Sequence, residues 1–323
     1  MAETTYLEAI RQALFEEMER DPNVFMLGED IGAYGGAFKV TDGLLERFGE
    51  QRVIDTPISE AAIVGAAAGA AHMGLRPVCE MQFIDFISCA YDMLTNYVAT
   101  ARYRAFLPCP LVVRGPSGGY VRGGPFHSQN PEAAFLHTPG LKIVYPATAS
   151  DAKGLLKSAI RDEDPVLFFE HKSMMNLKGA LAPDREPASL GRAAIVRPGS
   201  DVTVVATQLM RVRAEQAATV LADEGVSMEL IDPRTLIPLD VATVGTSLEQ
   251  TGRLLIVQES PFGGSWGATM IAALMLDRFE LLDAPPAIVC GDDTPIPYAG
   301  VLEEAWLPTV DRIVTAVREL MRR

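Results

Sequence analysis

Arg52-Val53-Ile54-Asp55-Thr56-Pro57-Ile58-Ser59-Glu60, running at once into the small-residue stretch Ala61 to Ala71, sets the architecture of this chain. An apolar strand ends, a proline stops it, and a helix opens with a carboxylate in its first turn. Pro57 has no amide to offer a ladder and biases Thr56 away from helix. Ser59 stands where an N-cap is expected. A helix of Ala and Gly lets neighbouring backbone come close, which suits a buried interface. Glu60 then has two readings. It is either an acidic residue favoured by the helix dipole, or a buried carboxylate placed to handle a proton.

The same strand-then-helix rhythm extends both ways. Tyr6, Ile10, Ala13, Leu14 and Met18 repeat at helical spacing, and Val24 to Gly28 is a short apolar strand ending in Glu29-Asp30. The loop Gly32 to Gly36 reads as flexible, with a helix over 41–48 after it. Arg76 to Glu80 and Leu111 to Arg114 read as strands, and the spacing predicts one long amphipathic helix over 87–104. Strands at 141–144 and 166–169 flank a helix over 150–161. Apolar strands alternating with helices give an α/β fold with parallel sheets covered on both faces. Periodicity fades between Lys172 and Arg192, where Pro183 and Pro187 stand among charged residues. Residues 1–175 are therefore expected to form one domain, 176–192 a linker, and 193–323 a second, smaller α/β domain. In the latter, strands at 202–206, 228–231, 254–257 and 287–289 accompany helices over 212–225, over 265–282 and from 309.

Composition narrows the function. At 323 residues, 48% hydrophobic and 22% charged, the chain has the makeup of a soluble globular enzyme. No apolar run reaches the roughly 18 residues that span a bilayer, and the start lacks a basic region followed by an apolar core. A cytoplasmic protein without a membrane partner is expected. Cys79, Cys89, Cys109 and Cys290 show no metal-ligand spacing and read as buried reduced thiols; His72, ending the Ala-rich helix, reads as structural. A net charge of −14 leaves no basic surface to displace counterions, which excludes nucleic acid as a partner. Residues 193–323 carry 18 acidic against 10 basic side chains, with no lysine after Lys178, so that half suits a basic protein partner.

In open parallel sheets, ligands gather at the carboxyl ends of strands. Gly28-Glu29, Glu60, Glu80 to Phe86 and Arg114 to His127 all follow predicted strands and are expected to share one rim. The loop from Arg114 to Gln129 holds five glycines, yet neither dinucleotide nor phosphate-loop spacing is present. His127 ends that loop as either a surface histidine or a proton carrier near neutral pH. Phe86 either fills core or offers a flat face to a planar heterocycle.

Leu27-Gly28-Glu29-Asp30, Asp55 to Glu60, Gly74-Leu75-Arg76-Pro77, His127-Ser128-Gln129, Asp151 to Leu155 and Ala159-Ile160-Arg161-Asp162 occur in this order and at these spacings. Jointly they make the chain resemble the beta subunit of the thiamine diphosphate-dependent first component of 2-oxo acid dehydrogenase complexes, from about residue 5 to the C-terminus. The resemblance implies a pyrimidine-binding domain followed by a transketolase C-terminal-like domain. It implies that Glu60 hydrogen-bonds N1′ of the aminopyrimidine and favours its imino tautomer, that Phe86 packs on that ring, and that Glu29 and Gln82 lie close by. It gives His127 a part in acyl transfer to a lipoyl group. It places a monovalent-cation site, with potassium the expected ion, at Leu111, Ala159, Ile160, Asp162 and Asp164. It gives Asp283 a role in docking to the subunit-binding domain of the lipoylated acyltransferase core.

No Gly-Asp-Gly motif with following asparagines occurs; Gly291-Asp292-Asp293 lacks that context. The resemblance therefore implies that an alpha subunit supplies the diphosphate and magnesium ligands, in an alpha2beta2 heterotetramer with the chain inactive alone. The substrate stays open between pyruvate and branched-chain 2-oxo acids, with acetoin as an alternative. Other readings are a transketolase-like or deoxyxylulose phosphate synthase-like subunit, a non-catalytic scaffold subunit, and a flavodoxin-like binding module.

Overall fold

The computed structural model describes residues 3–181 and 187–323; Pro183 and its neighbours at 182–186, within the expected linker, lie outside the described residues. In chain order the first elements are β1 (Glu3–Thr5), α1 (Tyr6–Arg20), β2 (Val24–Gly28), α2 (Leu44–Phe48), β3 (Val53–Asp55), α3 (Glu60–His72), β4 (Arg76–Glu80), α4 (Ala101–Ala105), β5 (Val112–Ser117), α5 (Gly124–His127), β6 (Lys142–Val144), α6 (Ala149–Arg161), β7 (Val166–His171) and β8 (Lys178–Ala180). They are followed by β9 (Ala194–Arg197), β10 (Val202–Ala206), α7 (Gln208–Asp223), β11 (Met228–Asp232), β12 (Thr235–Ile237), α8 (Val241–Thr251), β13 (Leu254–Pro261), α9 (Trp266–Arg278), β14 (Ala287–Gly291), α10 (Gly300–Trp306) and α11 (Val310–Met321). The chain divides into two compact units, Met1–Ser117 with His137–Leu190, and Gly118–Leu136 with Gly191–Arg323.

In the first unit the strands run parallel in the order β6, β7, β5, β4, β2, β3. Every residue of β5 and β7 is buried, which is why these strands open as apolar runs, Val112-Val113 and Val166 to Phe169. α1 lies on α6, where Lys153 meets Glu16 at 2.7 Å and Arg161 meets the fully buried Glu17 at 2.6 Å. β8 falls within the expected linker and pairs antiparallel with β1. Local pattern could not reveal this, because each of the two strands has only three residues.

The long helix expected over 87–104 is broken. A 3₁₀ segment covers Ile84–Ala90, a π-helical turn Met93–Val98, and an α-helical segment Ala101–Ala105. The hydroxyls of Thr95 and Thr100 donate to the carbonyls of Tyr91 (2.9 Å) and Asn96 (2.7 Å). Such side-chain bonds compete with the regular ladder and distort helices. Cys89, in the 3₁₀ segment, is exposed, against the expectation that all four thiols are buried. Cys79 and Cys109 are buried and Cys290 half-buried. Burial, with Asp164 adding to it, pushes the Cys109 thiol up to about 11.

In the second unit the order is β14, β13, β10, β11, β9, parallel except for β9. Ile313, Val317 and Leu320 lie on one face of α11 at helical spacing and join Val202, Val204, Leu230 and Val257 in a common core. Each fully buried aliphatic side chain there contributes roughly 1.5–3 kcal/mol. Residues 118–136 belong to this unit. The amide of Gly119 donates to the Glu259 carboxylate at 2.6 Å, and the Tyr120 hydroxyl donates to the carbonyl of Pro308 at 2.9 Å. Among the described residues no helix is long and apolar enough to cross a membrane.

Candidate functional site

Register brings the strand ends of the first unit level with one another. Gly28, the last residue of β2, pairs with Asp55 of β3 and Glu80 of β4. Glu29, Thr56 and Met81-Gln82 therefore leave the sheet along one rim, and the amide of Thr56 donates to the Gly28 carbonyl at 2.9 Å. Pro57 ends β3, and α3 begins at Glu60, which is 9% exposed. Ser59 holds the N-cap position but makes no side-chain capping bond; its carbonyl accepts from Ile63 at 2.9 Å. The loop read as flexible is pinned over this rim. The Gly32 amide donates to Asp55 at 2.6 Å, and the Gly36 amide to the Asp30 carbonyl at 2.8 Å. Gly36 has φ +79°, and a Cβ there would sit 3.0 Å from the Glu80 carboxylate, so the loop needs glycine.

Three polar atoms on this rim are buried and make no hydrogen bond: Oε1 of Glu29, Oγ1 of Thr56 and Oε1 of Gln82. Leaving one such group unsatisfied costs about 1–3 kcal/mol, so three together make this rim a candidate ligand site. Two of them are acceptors, which calls for N–H donors on that ligand. Burial holds the Glu29 carboxyl above the usual carboxylate range, and the negative charges of Glu60 and Asp30 push it further. Phe86 is half-buried in the adjoining 3₁₀ segment. The structure thus brings Glu29, Glu60 and Gln82 together at the rim.

A raised folded-state pKa means that the protonated form of Glu29 is favoured. Its contribution to stability is full below the ordinary carboxylate value and is lost as pH rises through the shifted one. Glu29→Gln is therefore expected to raise the cofactor-free melting temperature at neutral pH, with the gain shrinking as pH falls towards 4.5. A melting curve at pH 7 that is unchanged or lower would contradict this.

Beneath the rim lies a charged cluster that sequence reasoning missed. Arg114 of β5 pairs with Glu80 of β4, and reaches Glu170 of β7 at 2.5 and 2.7 Å, with all three residues no more than 4% exposed. Burial opposes the guanidinium charge, but Glu170 and Glu80 outweigh it and hold Arg114 above its ordinary range. One cation serves two carboxylates, so burial and the Glu170 charge keep the Glu80 carboxyl raised despite Arg114. The available signal was one charged residue at or near the end of each of three apolar strands.

His127 belongs to the second unit, where it closes the four-residue α5 and is half-buried. Gly124 opens α5 with φ +61°, and a Cβ there would lie 2.2 Å from the Tyr298 ring. Only glycine allows that turn to seat against Tyr298. Phe126, Gln129 and Asn130, from α5 and just after it, line a cavity of about 480 Å³ with Ser260, Ile296 and Trp306. The Asn130 Oδ1 and Ser128 Oγ atoms are buried without a hydrogen bond.

The expected potassium donors come together, but each has a protein partner. The Leu111 carbonyl accepts from Val166 at 3.0 Å and that of Ala159 from Asp162 at 3.3 Å. Arg76 serves the carbonyls of Ile160 and Asp162 at 3.0 and 2.9 Å. Lys142 serves the Asp162 carboxylate at 2.7 and 2.6 Å, and Arg102 pairs with Asp164 at 2.5 Å. Each of these carbonyl oxygens keeps a second lone pair beside its protein partner. Asp283 is exposed, with Arg253 at 3.8 Å.

The α/β chain matches two family models. These are the transketolase pyrimidine binding domain, over residues 2–178, and the transketolase C-terminal domain, over residues 191–313. The chain is 46% identical to 2-oxoisovalerate dehydrogenase subunit beta of Bacillus subtilis (strain 168), covering 99% of each. It is 42% identical to pyruvate dehydrogenase E1 component subunit beta of Rickettsia bellii (strain RML369-C), covering 98% of each. Among solved structures it is similar to a split gene transketolase, an inactive beta4 tetramer, with a TM-score of 0.83 and 24% identity over 98% of both chains. That last likeness concerns the fold alone. The chain belongs to the transketolase-type families and, within them, to the beta subunits of the first component of 2-oxo acid dehydrogenase complexes.

Proposed function

We propose that this chain is the pyrimidine-binding half of a thiamine diphosphate-dependent 2-oxo acid dehydrogenase, acting with an alpha subunit on pyruvate or a branched-chain 2-oxo acid. The observation that carries the reading is the trio of orphaned buried atoms on Glu29, Thr56 and Gln82 beside Glu60. Their unfilled acceptors suit the amino group of an aminopyrimidine. When bound, thiamine diphosphate supplies the carbon nucleophile and the electron sink for loss of carbon dioxide. Glu60 holds the proton shared with the pyrimidine ring nitrogen, and its low exposure keeps water from competing for it. Phe86 gives the ring a flat apolar face, and Glu29 and Gln82 orient its polar edge. His127 is the proton carrier for acyl transfer to a lipoyl group, whose disulfide takes the electron pair as its S–S bond opens and one sulfur is acylated.

Magnesium and the diphosphate fall to the alpha subunit, in an alpha2beta2 assembly. Ile58, two residues before Glu60, is 81% exposed, as are Tyr103 (92%) and Phe106 (89%). Exposed apolar side chains of this size suit a covering partner. Asp283, exposed and 3.8 Å from Arg253, presents its carboxylate to a basic domain of the lipoylated core.

The test is decarboxylation of pyruvate and of 2-oxoisovalerate with an artificial electron acceptor, thiamine diphosphate and magnesium. Turnover is expected from the chain with its alpha subunit and not from the chain alone; the preferred oxo acid identifies the complex. In the same preparation, Asp283→Lys should weaken capture of the acyltransferase core while this decarboxylation continues. Turnover by the isolated chain would overturn the division of the site, and unchanged capture would remove Asp283 from the docking face.

A further inference from the structure

We propose that a second buried ion pair, Lys172–Asp85, is a positioning device that sets the segment Gln82–Phe86 for the cofactor. Nζ of Lys172 lies 3.1 Å from Oδ2 of Asp85, and both side chains are 1% exposed. Asp85 stands in the 3₁₀ segment directly before Phe86 and three residues after Gln82. Lys172 immediately follows the fully buried strand β7 and opens its own short 3₁₀ turn. The pair therefore ties the loop that presents Gln82 and Phe86 to the most buried part of the sheet. The same ammonium lies 5.2 Å over the ring of Phe83, which also lies 5.6 Å from the ring of Phe38. Charge and ring contacts from Lys172 thus reach both ends of the segment.

Packing alone does not call for this arrangement. Removing two charges from water costs several kcal/mol per ion, and apolar residues of similar volume often serve stability as well or better. Holding a lysine side chain in one rotamer costs up to about 2 kcal/mol more. What an ion pair adds is direction, because it fixes one atom of the loop against one atom of the strand end. The pair is separate from the Arg114 cluster, whose guanidinium is taken by Glu80 and Glu170. The inference rests on the reading that Gln82 and Phe86 flank the aminopyrimidine.

The experiment uses the assembled alpha–beta complex and measures thiamine diphosphate binding, with magnesium, by quenching of intrinsic fluorescence, alongside turnover. Single variants such as Lys172→Met change the net charge of a buried site, so the informative variant is Asp85→Asn with Lys172→Gln, which stays neutral and polar. It is expected to assemble with a near-normal unfolding midpoint and to bind the cofactor about 10–100-fold more weakly, the scale of a 1 Å misplacement. Lys172→Arg, which retains the charge, should restore most of the affinity. Wild-type affinity in the double variant would overturn the proposal, as would loss of assembly, since the pair would then serve folding alone. Glu60→Gln in parallel separates the two ideas. If Glu60→Gln is inactive while the double variant binds normally, only the positioning role falls; if Glu60→Gln works normally, the reading of the site falls with it.

Discussion

Glu60→Gln in the assembled complex is expected to lower 2-oxo acid decarboxylation by about 10²–10⁴-fold, the usual contribution of a positioned proton-transfer group, while the fold and assembly persist. Glutamine keeps the size and one hydrogen-bonding oxygen of the side chain but cannot hold or release the proton. Glu60 opens α3, where the first helical amides lack internal partners, and its low exposure excludes water from the carboxylate. Cofactor should still bind, because Glu29, Gln82 and Phe86 remain in place. The loss should therefore appear in kcat more than in the cofactor concentration needed for half-activation. A variant with full turnover would remove Glu60 from the chemistry, and one that failed only to bind cofactor would make it a binding residue.

Arg114→Met is expected to destabilise the chain by about 3–5 kcal/mol, the cost of leaving buried charge without its partner. The change strands Glu80 and Glu170, at 4% and 0% exposure, against each other. Urea denaturation at neutral pH should show a lower midpoint. The deficit should shrink as pH falls, because protonating the carboxylates relieves their repulsion, and burial already favours that form at Glu80. Arg114→Met combined with Glu80→Gln and Glu170→Gln should recover most of the lost stability, since no charge is then left unpaired. Equal instability in the triple variant would mean that Arg114 contributes through packing and not through its charge.

Both expectations concern groups that the sequence shows unevenly. Glu60 could be found because Pro57, Ser59 and the Ala-Gly run announce a strand, a stop and a helix start within a few residues, and a carboxylate at such a junction is a local fact. Arg114 could be placed at a strand end, but its two partners lie 34 and 56 residues away. The pairing of β5 with both β4 and β7 brings them together, and no local pattern encodes that adjacency. Lys172 and Asp85 are 87 residues apart and were hidden for the same reason. The broken helix after Ile84 was misread because Thr95 and Thr100 sit at positions compatible with a helical face. Their effect comes from hydroxyl bonds to the helix's own carbonyls, which apolar spacing does not register.

The amino-acid sequence by itself determined the alternation of strands and helices and the burial of the parallel strands. A strand covered on both faces is apolar along most of its length, and a helix covered on one face must repeat at its own period. It also determined which residues leave the strand ends, since turns are written in proline, glycine and short polar residues. The tertiary structure decided which of those ends lie side by side. It left Glu29, Thr56 and Gln82 with unfilled polar atoms, and it joined residues 118–136 to the second unit. The physical reason is range: secondary structure follows from neighbours a few residues apart, whereas a site depends on strand order, which only the packed sheet supplies.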